Sequence, residues 1–177
     1  MTWKTAVILS VSLIGVTSAI AGTASEIVQS RQSAMKEIAA ATKVMAGMFK
    51  EPRSYSASSF GAAAREIEAR AGGRLVETFA HLGAAPGSKA TDAIKDDPAH
   101  FAELADNLKT YAADLEAAAR DHPDAMTGDM RMKAGEAMEG GLLGITPHSS
   151  QKISAEHAFH LMLQTCASCH SRFREKS

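Results

Sequence analysis

Residues 154 to 174 read SAEHAFHLMLQTCASCHSRFR. Phe159, Met162, Cys166, Cys169 and Phe173 recur in this stretch at steps of three and four, the spacing of a single stripe along an α-helix. The stripe also carries chemistry. Cys166, Cys169 and His170 stand at i, i+3 and i+4, so two thiols and an imidazole share one helical face. Cys-x-x-Cys-His is the signature of covalent c-type haem attachment. The thiols would join the two vinyl groups as thioethers, and the neutral imidazole of His170 would ligate iron from one side. One motif implies one covalent haem c. Only seven residues follow His170, so any ligand on the other side of the iron must come from far upstream.

A Cys-x-x-Cys pair also occurs in thiol redox sites and in half of a zinc site. A thioredoxin-like pair sits in an alternating strand and helix pattern, and zinc needs more Cys or clustered His. This chain shows neither pattern. It has two cysteines, both inside the motif.

The N-terminus reads as an export signal. Lys4 supplies a positive charge, Ala6 to Val16 is apolar, and Ala19-Ile20-Ala21 has the small-x-small form of a cleavage site. The apolar run is shorter than the roughly 20 residues that span a bilayer, which favours a removed signal over an anchor. Residues 1–21 are therefore expected to be a signal peptide and residues 22–177 a single domain, in the periplasm, where c-type haem is attached. Without Lys4 the balance is 18 Lys and Arg to 20 Asp and Glu. Nothing in that balance suggests nucleic acid. Its mild acidity is compatible with weak docking to a basic redox partner.

Four stretches have helical spacing. The first covers about 24–50, with Val28, Arg31, Met35, Ile38, Thr42, Met45 and Phe49 on its seam, and Pro52 ends it. The second starts near an N-cap at Ser58 or Ser59 and runs through Phe60, Ala64, Ile67 and Ala71. Gly72-Gly73 weakens it, which leaves a continuation through Leu75, Phe79 and Leu82 open. The third opens at Asp97-Pro98 and carries Phe101, Leu104, Leu108, Tyr111, Leu115 and Ala118. The fourth is the motif helix. Amphipathic helices on mostly short connections predict an all-α fold, an antiparallel four-helix bundle in which cofactors bind between facing helices.

The connection from His122 to Lys152 is too long for a simple bundle turn. A short helix over 127–139 is one reading of it. Met126, Met130, Met132 and Met138 raise Cu(I) binding, but methionine commonly fills irregular apolar gaps. His81, His100, His122, His148, His157 and His160 are read as exposed or core-satisfied imidazoles, and Tyr111 as core.

The chain resembles the class II cytochromes c, which include the cytochromes c prime and their low-spin relatives. The resemblance rests on C-x-x-C-H-x-x-F-R at Cys166, Cys169, His170, Phe173 and Arg174, and on R-x-x-x-M-K at Arg31, Met35 and Lys36. Weaker matches are Phe79 before a Pro-Gly-Ser loop and Ile94 to Phe101. The resemblance implies a bundle with haem between the first and last helices, His170 as proximal ligand and Met35 over the distal face. It places Arg31 near a propionate, Arg174 beside the proximal pocket and Phe173 near the haem. Lys95 stands where the family often has tryptophan, and the third connection is longer than usual.

If Met35 sulfur binds iron, the haem is six-coordinate and low-spin, and the protein is an electron carrier with periplasmic redox partner proteins. If Met35 only packs over the ring, the iron is five-coordinate and high-spin, and NO or CO can reach it. The chain lacks a distal His and Arg pair at defined spacing that would polarise a peroxide, so catalysis is not expected. Similar proteins commonly form homodimers through the first two helices.

Overall fold

The structure, a computed structural model, describes residues 23–80, 85–133 and 153–176. The expected signal peptide, His81, Leu82, Met138 and His148 lie outside the described residues.

The first helix, α1, spans Ala24–Lys50. Thr23 and Glu26 form a reciprocal capping box at its start, which satisfies two amide donors that a helix end leaves open. After Lys50 the chain turns through a 3-10 segment at Pro52–Ser54. The next helix, α2, spans Ala57–Glu68 and is capped by Ser56, whose hydroxyl accepts from the Ser59 amide. The cap thus falls two or three residues earlier than the sequence suggested. Its continuation is a separate helix, α3, Gly73–Ala80. Gly72 makes the break with φ +64, and its amide donates to the Ala105 carbonyl at 2.9 Å. A Cβ there would lie 2.9 Å from Lys109 Cδ, so glycine suits both the backbone and the space.

A single turn, α4, covers Ala93–Asp96 and leads into α5, Pro98–Asp121, where the Asp97 side chain caps and proline occupies the first turn. The last helix, α6, spans Ala155–Phe173, with Ser154 as its cap. The four long elements pack as an antiparallel bundle in which α5 lies against α2 and α6, and α1 lies against α2. Gly61 and Ala119 bring α2 and α5 close, since a Cβ at Gly61 would sit 3.4 Å from that of Ala119. This close approach accounts for the burial of Ala119 rather than Ala118, and Ala112 is likewise buried where the spacing had suggested Tyr111. On α1, likewise, Ala41 is buried where the spacing had suggested Thr42, and Met48 is buried beside the expected Met45 and Phe49.

Two apolar clusters divide the interior. The larger holds Met45, Phe49, Phe60, Ile67, Leu115, Phe159 and Met162, with Phe49 5.4 Å from Phe60 and 5.2 Å from Phe159 between ring centroids. The smaller holds Leu75, Ile94, Phe101, Leu104, Ala105 and Phe173. Phe101 is the centre of its aromatic contacts, 5.3 Å from both Phe79 and Phe173. Met35 packs against both clusters.

Over 127–133 the long connection forms turns at Thr127–Met130 and Gly128–Arg131 rather than helix, while 134–139, the rest of the stretch read as a short helix, lie outside the described residues. Its role is to staple helix ends. Arg131 donates to the Phe49 carbonyl at the end of α1 and to Glu156 at the start of α6, and Glu156 also accepts from the Met132 amide. Met130 is fully buried and Met126 packs on the larger cluster, which makes these thioethers filling for the core.

Candidate functional site

Helix periodicity places Cys169 and His170 on the side of α6 that looks toward α1, while Arg31, Gln32 and Met35 occupy successive positions on α1. Between them lies an open cavity of about 440 Å³. Its apolar lining comes from Val28, Leu75, Phe79, Ile94, Phe101 and Phe173. Its polar lining includes Arg31, Lys36, Lys89, His170 and Arg174. The structure thus brings Arg31, Met35, Cys169, His170, Phe173 and Arg174 into one cavity wall. Cys166 stands just outside that lining, half-buried and packed against the larger cluster.

The wall supplied by the 85–91 connector was not visible in the sequence. Ser88, Lys89 and Ala90 line the cavity. Gln32 Nε2 on α1 donates to the Gly87 carbonyl at 3.1 Å. On the opposite side the connector pairs with the tail: the Thr91 amide donates to the Phe173 carbonyl at 3.0 Å and the Glu175 amide to the Lys89 carbonyl at 2.8 Å. The Pro86-Gly87 turn signalled a loop, but nothing local signalled where it would fold back.

Arg31 is buried, 6% exposed. Its Nε donates to the Thr78 carbonyl at 2.8 Å, and its guanidinium carbon lies 4.1 Å from the centroid of the Phe79 ring. Burial lowers its pKa, but arginine starts so high that it stays charged at neutral pH.

The two thiols are free of a disulfide. Burial pushes both upward, and Cys169, with Cys166 adding to the effect, rises to about 11. A thiol redox pair requires the opposite shift. Burial and the neighbouring Arg174 charge lower the pKa of His170, which favours the neutral imidazole that a metal needs. Among the described residues no group of three or more His, Cys, Asp or Glu is placed to hold a metal ion, so the zinc alternative finds no further ligands there.

The donor set suits a haem: free thiols one turn apart, a neutral imidazole beside them, and an apolar wall that accepts a flat ring. A larger groove of about 640 Å³ is lined by Arg65, Glu68, Arg74, Glu77 and Lys109. It has neither thiol nor imidazole in its lining. Other described imidazoles have contacts or positions of their own. His100 contacts Glu103, His122 contacts Thr127 and Asp129, and His157 is buried on α6. Among the described residues no helix is long and apolar enough to cross a membrane.

An antiparallel bundle with a Cys-x-x-Cys-His helix along such a cavity defines the bundle class of c-type cytochromes. The family profile described as Cytochrome C' matches residues 26–139. The chain belongs to the cytochrome c' family, whose members carry haem c. The matched span ends before Cys166, so profile and motif support the assignment separately. Solved structures share the fold. Cytochrome c' from Thermochromatium tepidum superposes with a TM-score of 0.62 at 17% identity, covering 88% of this chain and 98% of that one. Cytochrome c prime from Shewanella frigidimarina gives 0.59 at 20% identity, covering 86% and 97%. A cytochrome c' described as having an unusual ligand-controlled dimer dissociation gives 0.62 at 14% identity, covering 88% and 98%. No curated protein matches the chain.

Proposed function

We propose that the chain is a periplasmic monohaem cytochrome c' that binds a small neutral gas, NO or CO, at a five-coordinate iron. Cys166 and Cys169 hold the ring as thioethers and His170 is the proximal ligand. When bound, the haem supplies an iron that takes a diatomic ligand in its ferrous state. The chain supplies the rest. The neutral His170 imidazole presents a lone pair, Arg174 beside it disfavours protonation, and Phe173 and Phe101 exclude water from the ring's apolar side.

The observation that carries this reading is the placement of Met35. Its side chain packs against both apolar clusters while lining the cavity, and a thioether held by apolar neighbours in this way would suit a cover over a bound haem rather than a ligand. Family membership supports the same assignment. The presence of Met35 in the same lining as His170 favours a second reading, His/Met ligation in a low-spin electron carrier. Catalysis belongs to neither reading. Ferric and ferrous absorption spectra of the exported holoprotein, with and without CO, separate the two. A high-spin ferric spectrum and a ferrous spectrum that changes with CO are expected; a low-spin spectrum indifferent to CO would establish the carrier. A mass spectrum without added haem would overturn both.

A further inference from the structure

His170 stands in the last turn of α6, and the chain beyond it is tied to other elements. The Arg174 amide donates to the His170 carbonyl at 3.2 Å, the closing bond of the helix. Arg172 pairs with Asp97 at the start of α5, at 3.1 Å. Phe173 packs on Phe101, and its carbonyl, which the helix leaves open, accepts from the Thr91 amide at 3.0 Å. Arg174 is extended, with φ −117 and ψ 140, so the chain leaves α6 directly into an antiparallel bridge with Ala90. The Glu175 amide then donates to the Lys89 carbonyl at 2.8 Å. We infer that the connector at 85–91 and Glu175 form a brace that positions His170 toward the iron, an inference that rests on the haem reading above.

The connector is shaped to act as a brace. Its turn, Ala85-Pro86-Gly87-Ser88, is closed by the Ser88 amide on the Ala85 carbonyl at 2.8 Å, and Gly87 has φ +80. With proline before that glycine, this is the form of a type II turn. The Ser88 hydroxyl accepts from the Ala90 amide at 3.0 Å. Gln32 on α1 holds the Gly87 carbonyl, so the connector links α1 to the end of α6, the two helices that flank the cavity. The Lys89 and Glu175 side chains, 65% and 52% exposed, form an ion pair at 3.3 Å. An exposed pair contributes little, which leaves the backbone bonds as the strength of the brace.

Helix ends fray, and chain ends are poorly ordered unless something ties them down. Only two residues follow Glu175. Cys166 and Cys169 hold the helix to the ring upstream of His170, and the brace holds it downstream. The imidazole lies between the two anchorages, so its orientation follows both. Thr91, Lys89 and Glu175 are therefore positioning residues that act through the backbone of α6.

The test uses the holoprotein and NMR. In the parent, the Thr91 and Glu175 amides should be protected from hydrogen exchange; prompt exchange at both would overturn the proposal. Two variants loosen the brace from opposite ends. Glu175→Pro removes one amide donor and suits the extended Arg174 before it. Gly87→Ala puts a side chain at φ +80, at a position outside the cavity lining with open space around it. In both, exchange of the Arg174 amide should quicken by about fivefold, and the hyperfine-shifted ring protons of His170 in the ferric protein should move. Those signals arise whether the iron is five- or six-coordinate. Glu175→Gln removes only the ion pair and should match the parent in both readouts. Quickened exchange with the His170 signals in place would make the contact a helix cap alone and overturn the positioning role. Where one variant does not fold, the other carries the test. A mass without added haem would remove the haem reading and this inference together, whereas unmoved His170 signals in a haem-bearing variant would remove this inference alone.

Discussion

The Arg31 guanidinium lies over the Phe79 ring at 4.1 Å while its Nε holds the carbonyl of the adjacent Thr78. One α1 side chain thus grips the end of α3 by a face and by a backbone acceptor, 47 residues away in sequence. A cation over an aromatic face contributes about 0.5 to 2 kcal/mol and a hydrogen bond about 1 kcal/mol. Arg31→Leu should therefore destabilise the holoprotein by about 1 to 3 kcal/mol in urea unfolding. Combined with Phe79→Leu, the effects should be non-additive by about 0.5 to 2 kcal/mol. Simple additivity would show that the stacking contributes nothing.

Met35 gives the second prediction. As an apolar cover it can be replaced by leucine of similar volume, so Met35→Leu should leave ferric and ferrous spectra in place. Met35→Ala opens space and should raise CO affinity by about tenfold, or about 1.4 kcal/mol. Conversion of a low-spin spectrum to a high-spin one in Met35→Leu would instead identify the sulfur as a ligand.

Glu116 on α5 accepts from Arg120 on its own helix and from Arg65 on α2. Arg120 first and Arg65 second hold its carboxyl below the usual glutamate range. The sign follows from linkage. A depressed folded pKa contributes stability that is present above the unfolded value, about 4.3, and is lost as pH falls through the folded value. Glu116→Gln should therefore be less stable than the parent at neutral pH, and the gap in urea midpoints should close in acid. A gap independent of pH would assign the effect to packing.

Gly72 provides the fourth. With φ at +64 and Lys109 Cδ 2.9 Å from where a Cβ would sit, Gly72→Ala should cost about 1 to 2 kcal/mol. The urea midpoint should fall with an unchanged slope. Gly73 has open space around its Cβ position, and Gly73→Ala is the matched control, expected to be near neutral or stabilising.

Sequence alone set the four long helices and the motif on which the proposed haem attachment rests. Both are local: periodic apolar side chains fix which face of α1, α5 and α6 turns inward, Thr23, Asp97 and Ser154 start helices within a turn of themselves, and Cys166, Cys169 and His170 share a face because of helical geometry alone. The composition of the cavity was decided only by tertiary structure. Arg31 meets Thr78, Gln32 meets Gly87 and Lys89 meets Glu175 across large sequence separations, and no periodicity encodes where a connector folds back. The same holds for the break at Gly72, which depends on Ala105 and Lys109 of α5, because a positive φ and a close approach are set by what lies across the bundle and not by local spacing.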